Sequence, residues 1–357
     1  MTKYPLALAV LASCTDAPAE SQQDDDTVVL GGFFPIAADY QKHDSFQKWQ
    51  DRGINTVIRV PPDDSVRDWT DKANQLGLKM IREPAHDPRD DKREPNLLAW
   101  HWMDEPELHG VPASQLADFR HRMHDIDPDM PISVNFWGGG MRLGDCYRGY
   151  CYKDYVEHAD WVSDDIYACN KYHCDIGVVG HAVHQLREWG DGQRVFAYIE
   201  TSDFDYNGTG PSPRRFRAEV WDAIVHGARG VFYFPERVHP LDYDGTPQDV
   251  VDEMKDLDAQ LAKLAPVLQR GFNPNMIELR VPDSLEVTWR ATKTADYFFV
   301  LNPTDAHHDN QQLTLRGVRA DTAHVVDEGR DVRVHGRDTI VDDFAPYELH
   351  IYEVPNR

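Results

Sequence analysis

No apolar run in the 357 residues reaches the ~18 that carry a helix across a bilayer, which excludes a helical membrane-spanning protein. Positive charge is scarce too. Lys and Arg number 37 against 61 Asp and Glu, a formal charge of -24 that repels phosphates and anionic headgroups and excludes nucleic acid as a partner. Cysteine occurs only five times. Gly-x-Ser-x-Gly elbows are missing, which argues against a serine-hydrolase nucleophile, and Gly138-Gly139-Gly140 lacks the downstream lysine of a phosphate loop; no cofactor is expected. Internal repeats and long low-complexity tracts are absent as well.

What is present begins at the N-terminus. Lys3 precedes an apolar stretch from Pro5 to Ala12, the order of a secretory leader but too short for a spanning helix. Leu11-Ala12-Ser13-Cys14 resembles the lipobox of bacterial lipoproteins. That resemblance implies cleavage before Cys14, lipidation of its thiol, and a cell-envelope or extracellular location in which the lipid is the only membrane contact. Residues 15–26, including Asp24, Asp25 and Asp26, read as a polar tether. The remaining cysteines, Cys146, Cys151, Cys169 and Cys174, are expected to form disulfides in an oxidising compartment. Three connectivities are open, and a four-thiolate zinc site is the alternative.

Between residues 27 and 270, short β-branched runs alternate with amphipathic segments, the rhythm of βα units around a parallel sheet. Eight runs are countable: Val28–Pro35, Asn55–Val60, Leu78–Glu83, Leu97–Met103, Pro131–Phe136, Asp160–Ile166, Arg194–Ile199 and Gly230–Phe234. Eight closes a barrel, so the expected fold is α/β, a (β/α)8 TIM barrel. Helical periodicity lies at Ser65–Leu76, Ala113–Ile126, Gly177–Trp189, Arg214–His226 and Gln248–Leu268. The third unit is too short and charged for a full helix, and the fifth is a Gly- and Cys-containing loop. Residues 271–357 change to alternating strands and are expected to form a small C-terminal β-sandwich.

In such a barrel, function sits where the strands end. Glu105 ends the fourth run, in Trp100-His101-Trp102-Met103-Asp104-Glu105-Pro106, and Glu200 ends the seventh, in Ala197-Tyr198-Ile199-Glu200. Cleaving an acetal needs a proton for the departing oxygen and negative charge against an oxocarbenium ion, which two carboxylates supply. Carboxylates ending strands four and seven, the Asp-Glu-Pro turn and the Ala228-Arg229-Gly230-Val231 approach to the last strand resemble clan A of the glycoside hydrolases. The resemblance covers about residues 27–270. It implies a retaining glycosidase acting on an extracellular poly- or oligosaccharide, with Glu105 as acid/base and Glu200 as nucleophile.

The same resemblance implies that Arg59 and Tyr167 bond to Glu200. Trp102, Trp137, Tyr198 and Phe234 are expected to wall the sugar subsites, since sugar C–H faces stack on aromatic rings. Asp104 stands where the family often has Asn, and Tyr233-Phe234 where many members carry Trp. Asp104 and Asp165 are read with the substrate contacts, and Glu83, Asp164 and Glu236 as competing strand-end carboxylates. The pairs His121/His124 and His181/His184 read as ordinary helix neighbours, with no metal expected. Two alternatives stand beside the enzyme: a non-catalytic carbohydrate-binding lipoprotein, and a metal-dependent hydrolase using His101 and Asp165. Sugar, linkage and oligomeric state are not encoded in these motifs.

Overall fold

The computed structural model describes residues 28–206, 208–271, 278–318 and 320–356. The leader and Cys14 lie outside these residues. Eight parallel strands close a barrel: β1 (Ile36–Asp39), β2 (Thr56–Ile58), β3 (Lys79–Arg82), β4 (Leu97–Asp104), β5 (Ile132–Phe136), β6 (Trp161–Asp164), β7 (Arg194–Glu200) and β8 (Val231–Phe234). Each is buried on two faces, as a parallel sheet wrapped by helices requires. On β7, Phe196 and Tyr198 enter the barrel interior beside Trp161, Phe232, Ile58 and Ile81, while Val195, Ala197 and Ile199 join the layer under the helices. Small residues, Ala37 and Ala99, offset these large rings, so the interior is packed rather than hollow.

The connecting helices are α1 (Phe46–Gln50), α2 (Val66–Leu76), α3 (Ala113–His124), α4 (Tyr152–Val156), α5 (Gly177–Trp189), α6 (Pro213–Val225) and α7 (Gln248–Leu268). Ser65 caps α2 by accepting the Asp68 N–H at 3.3 Å. The third unit has no α-helix among its described residues. Asp91 replaces it as a buried hub, accepting Arg82 at 2.7 Å, Trp100 Nε1 at 2.7 Å and the Ala85 N–H at 2.9 Å. In the fifth unit a two-residue-stranded hairpin is closed by the Cys146–Cys151 disulfide before α4. Cys169–Cys174 closes the loop before α5, so each near pair staples its own loop and the four-thiolate zinc site is not formed.

One strand was misplaced by the sequence reading. The run Val28–Pro35 does not enter the barrel, whose first strand is Ile36–Asp39. Leu30, Gly31 and Gly32 hold φ of 50°, 62° and 85°, which turns Val29–Gly32 into a tight turn under the barrel.

After α7 come two antiparallel sheets. Numbered on in chain order, the strands are β9 (Glu278–Arg280), β10 (Glu286–Ala291), β11 (Ala295–Leu301), β12 (His308–Arg316), β13 (Thr322–Val325), β14 (Arg330–Arg333), β15 (Thr339–Phe344) and β16 (Leu349–Pro355). The order is β9-β12-β15 in one sheet and β10-β11-β16-β13-β14 in the other. Leu313, Leu315, Ile340 and Phe344 of the first share an apolar cluster with Phe298, Val300, Val325 and Tyr352 of the second. Phe299 and Leu301, alternate residues of β11, turn the other way and pack with the barrel helices, where Phe299 stacks on Trp221 of α6 at 5.7 Å.

Candidate active site

Because all eight strands run parallel, their last residues meet at one mouth. Arg59, just past β2, is its centre. Its guanidinium forms a two-pronged pair with the fully buried Asp39 at the end of β1 and an ion pair with Asp104 at the end of β4. It also lies over the Tyr40 and Tyr198 rings, 4.6 and 5.6 Å from their centroids. Burial pushes Asp39 up to about 6 in spite of Arg59.

Asp104 and Glu105 are neighbours in opposite electrostatic surroundings. Burial works against the Asp104 charge, but Arg59 and a 2.9 Å hydrogen bond from Asn135 Nδ2 outweigh it and hold Asp104 below the usual carboxylate range. Burial raises Glu105, whose carboxyl is hydrogen-bonded to that of Asp165. Asp165 is raised further, by burial and then by the charges of Glu105 and Asp104, and accepts the Gly138 N–H at 2.9 Å. Two carboxyls in contact resist ionising together: the contact raises Asp165 and lowers Glu105, whose own upward shift comes from burial and the Asp104 charge. Tyr40, Arg59 and Glu105, just past the ends of β1, β2 and β4, all hold left-handed backbone at φ 53°, 55° and 44°.

Glu200 ends β7, as strand counting expects, but the donors that meet it are not Arg59 and Tyr167. Its carboxylate is fully buried and caps the one-turn helix Ala168–Lys171, accepting the backbone N–H groups of Cys169 and Asn170, the latter at 3.0 Å, and the Asn170 side-chain amide. Burial raises it to about 7, against these donors. Arg59 bonds to Asp39 and Asp104 instead of Glu200, and Tyr167 stacks on Phe234 at 5.1 Å and against Phe204 at 5.1 Å.

Of the aromatic candidates, Tyr198 is fully buried below Arg59, and its hydroxyl has no hydrogen-bond partner among the described residues. Tyr167 and Phe234 are half-buried, as one aromatic edge of the mouth. Trp102 packs toward Phe119 of α3, with ring centroids 6.5 Å apart, and Trp137 packs against Tyr147 at 5.0 Å.

Sequence reasoning missed Asp39, because it ends the strand that was placed too early, and Asn135, whose value depends on the Asp104 contact. Glu236 lies near Asp39 and Arg59, buried, raised well above the usual range by desolvation, with both oxygens lacking hydrogen-bond partners among the described residues. His101 lies beneath, its two nitrogens equally unpartnered, and desolvation followed by Arg59 lowers it to about 4, so it is neutral. Among the described residues, neither His101 nor Asp165 gathers with two further metal-ligating groups.

No protein-family model and no curated protein matches this sequence. Solved structures match its fold. The GH42 beta-galactosidase Gan42B from G. stearothermophilus superposes with a TM-score of 0.64 at 10% identity, over 91% of this chain and 98% of its own. The alpha-amylase from Geobacillus thermoleovorans complexed with acarbose gives 0.58 at 11% identity, over 88% and 91%. AmyP in complex with maltose gives 0.58 at 10% identity, over 88% and 90%. By fold, then, this chain is similar to barrel glycoside hydrolases along nearly its whole described length.

Proposed function

We propose that the chain is a glycoside hydrolase acting on an extracellular poly- or oligosaccharide, with Glu105 as its general acid and Asp104 as the ionised carboxylate facing the developing positive charge. The observation that carries this reading is that two adjacent carboxyls are shifted in opposite directions, Glu105 upward by burial and the Asp104 charge, Asp104 downward by Arg59 and the Asn135 amide. Such divergence is what acid-assisted acetal cleavage requires. Tyr167 and Phe234 offer ring faces to a sugar, and the two C-terminal sheets are read as a β-sandwich buttressing the barrel. Neighbours of this fold bind maltose and acarbose, which supports a carbohydrate ligand.

Reducing-sugar release over a polysaccharide panel tests it. On a substrate cleaved by the native chain, E105Q and D104N are each expected to lower kcat by about 10²–10⁴. Full turnover in E105Q removes the assignment. Glycan binding by a native chain that releases nothing favours the non-catalytic lipoprotein.

Export and a lipid on Cys14 belong to the same proposal, supported by the Lys3 and Leu11-Ala12-Ser13-Cys14 order. The intact mass of the membrane-extracted protein should begin at an acylated Cys14. An unprocessed N-terminus in that sample rejects the anchor.

A further inference from the structure

Three side chains unused by the carbohydrate site meet where the barrel touches the C-terminal sheets. Asp222 and His226 lie one turn apart along α6 and its cap, and Glu286 is the first residue of β10. Nε2 of His226 is 3.0 Å from Glu286 Oε2 and 3.8 Å from Asp222 Oδ1, and all three potential ligand atoms fall within 4.8 Å of one another.

Asp222 is the telling member. Its side chain is 0% exposed, and although Oδ2 accepts the Gly180 N–H at 2.6 Å, Oδ1 receives no hydrogen bond of normal geometry among the described residues. Facing it are the imidazole of His226 and a second carboxyl, that of Glu286. Two carboxyls in contact at a buried position are costly unless a proton or a cation lies between them. The close approach is built in. A Cβ at Gly180 of α5 would fall 2.2 Å from His226 Cδ2 and 2.8 Å from Asp222 Oδ2, so only glycine lets the two helices cross over these groups.

We propose that Asp222, His226 and Glu286 form a structural site for a divalent cation of the zinc class, tying α6 of the barrel to β10. One imidazole and two carboxylates are ligands zinc accepts, and an i, i+4 pair on a helix presents two of them to one side. Tetrahedral zinc with bonds of about 2.0–2.1 Å keeps its ligand atoms roughly 3.3 Å apart, and the separations of 3.0 and 3.8 Å bracket that spacing. Asp222 is closed to solvent while His226 and Glu286 are 25% and 27% exposed, which supplies an entry path and room for water as fourth ligand. His184 of α5 stands behind, its ring centroid 6.4 Å from that of His226. The proton-only account has the carboxyls share a proton and bind no metal.

The full chain, stripped with chelator and titrated with Zn²⁺ alone, separates the two. One zinc per chain and a thermal midpoint raised by a few degrees at Zn²⁺ well above Kd are expected. H226Q and E286Q should each weaken Zn²⁺ binding at least tenfold, while H121Q, on the exposed face of α3, should not. Should either variant fail to fold, Co²⁺ added to the native chain decides, since a tetrahedral site yields a ligand-field absorption band. Less than stoichiometric zinc at micromolar concentration, equal binding in H226Q and E286Q, or no Co²⁺ band overturns the proposal.

Discussion

Glu107, two residues past Glu105, shows what a single buried carboxyl does to stability. It is fully buried, Oε1 accepts the Trp137 N–H at 2.7 Å, and Oε2 has no hydrogen-bond partner among the described residues. Burial raises it from 4.5 to about 8. The unfolded chain releases this proton near 4.5 and the folded chain only near 8, so the native state binds more protons between those values. Its contribution to stability is complete below about 4.5, falls as pH rises through that window, and is flat above it. E107Q, neutral at every pH, should be more stable than the native chain at pH 9 by roughly 1–3 kcal/mol, with the difference shrinking toward pH 4. Urea midpoints at the two pH values check this, and a variant weaker at both disproves it. At this scale the sequence was readable where position alone matters: Glu105 and Asp104 stand at the mouth as strand counting requires. Partners were not readable. Arg59 turns to Asp39 because the true β1 ends there, and chain order does not reveal which carboxylate a guanidinium will choose.

At the scale of elements, the strand count, the missing third helix and the looped fifth unit were visible as hydrophobic period and charge. Helices Gly177–Trp189 and Gln248–Leu268 match the periodic segments residue for residue. What escaped was the first strand, since an apolar run through Gly31-Gly32 looks extended in composition but turns in φ. The one-turn helix at Ala168–Lys171 escaped as well. It is too short for a periodic signal, yet its N–H groups take the Glu200 carboxylate. E200Q leaves an amide NH2 facing one of those donors and should cost about 1–3 kcal/mol while retaining most turnover. Loss of turnover at unchanged stability would restore Glu200 as the nucleophile of a double displacement.

Across the whole molecule, the C-terminal sheets and the barrel share one core. Residues alternate on β11 so that Phe298 and Val300 face the sheets' own cluster, while Phe299 and Leu301 complete the barrel's outer layer. The two regions should therefore unfold together. Phe299, fully buried on Trp221, is the test: F299A should lose about 3–5 kcal/mol in a single transition that melts barrel and sheets alike. Two separated transitions, one leaving the barrel intact, would show that the regions are independent.

The left-handed backbone at Tyr40, Arg59 and Glu105 carries a consequence for how this chain can be changed. Residues with a Cβ tolerate that conformation at a cost of about 1 kcal/mol or more each, whereas glycine and asparagine adopt it readily. A library of variants ranked by melting temperature alone would therefore enrich replacements at these three positions. Heat resistance gained that way erodes the aim of the guanidinium and the acid, so selection for durability and selection for turnover pull apart at the rim of the barrel.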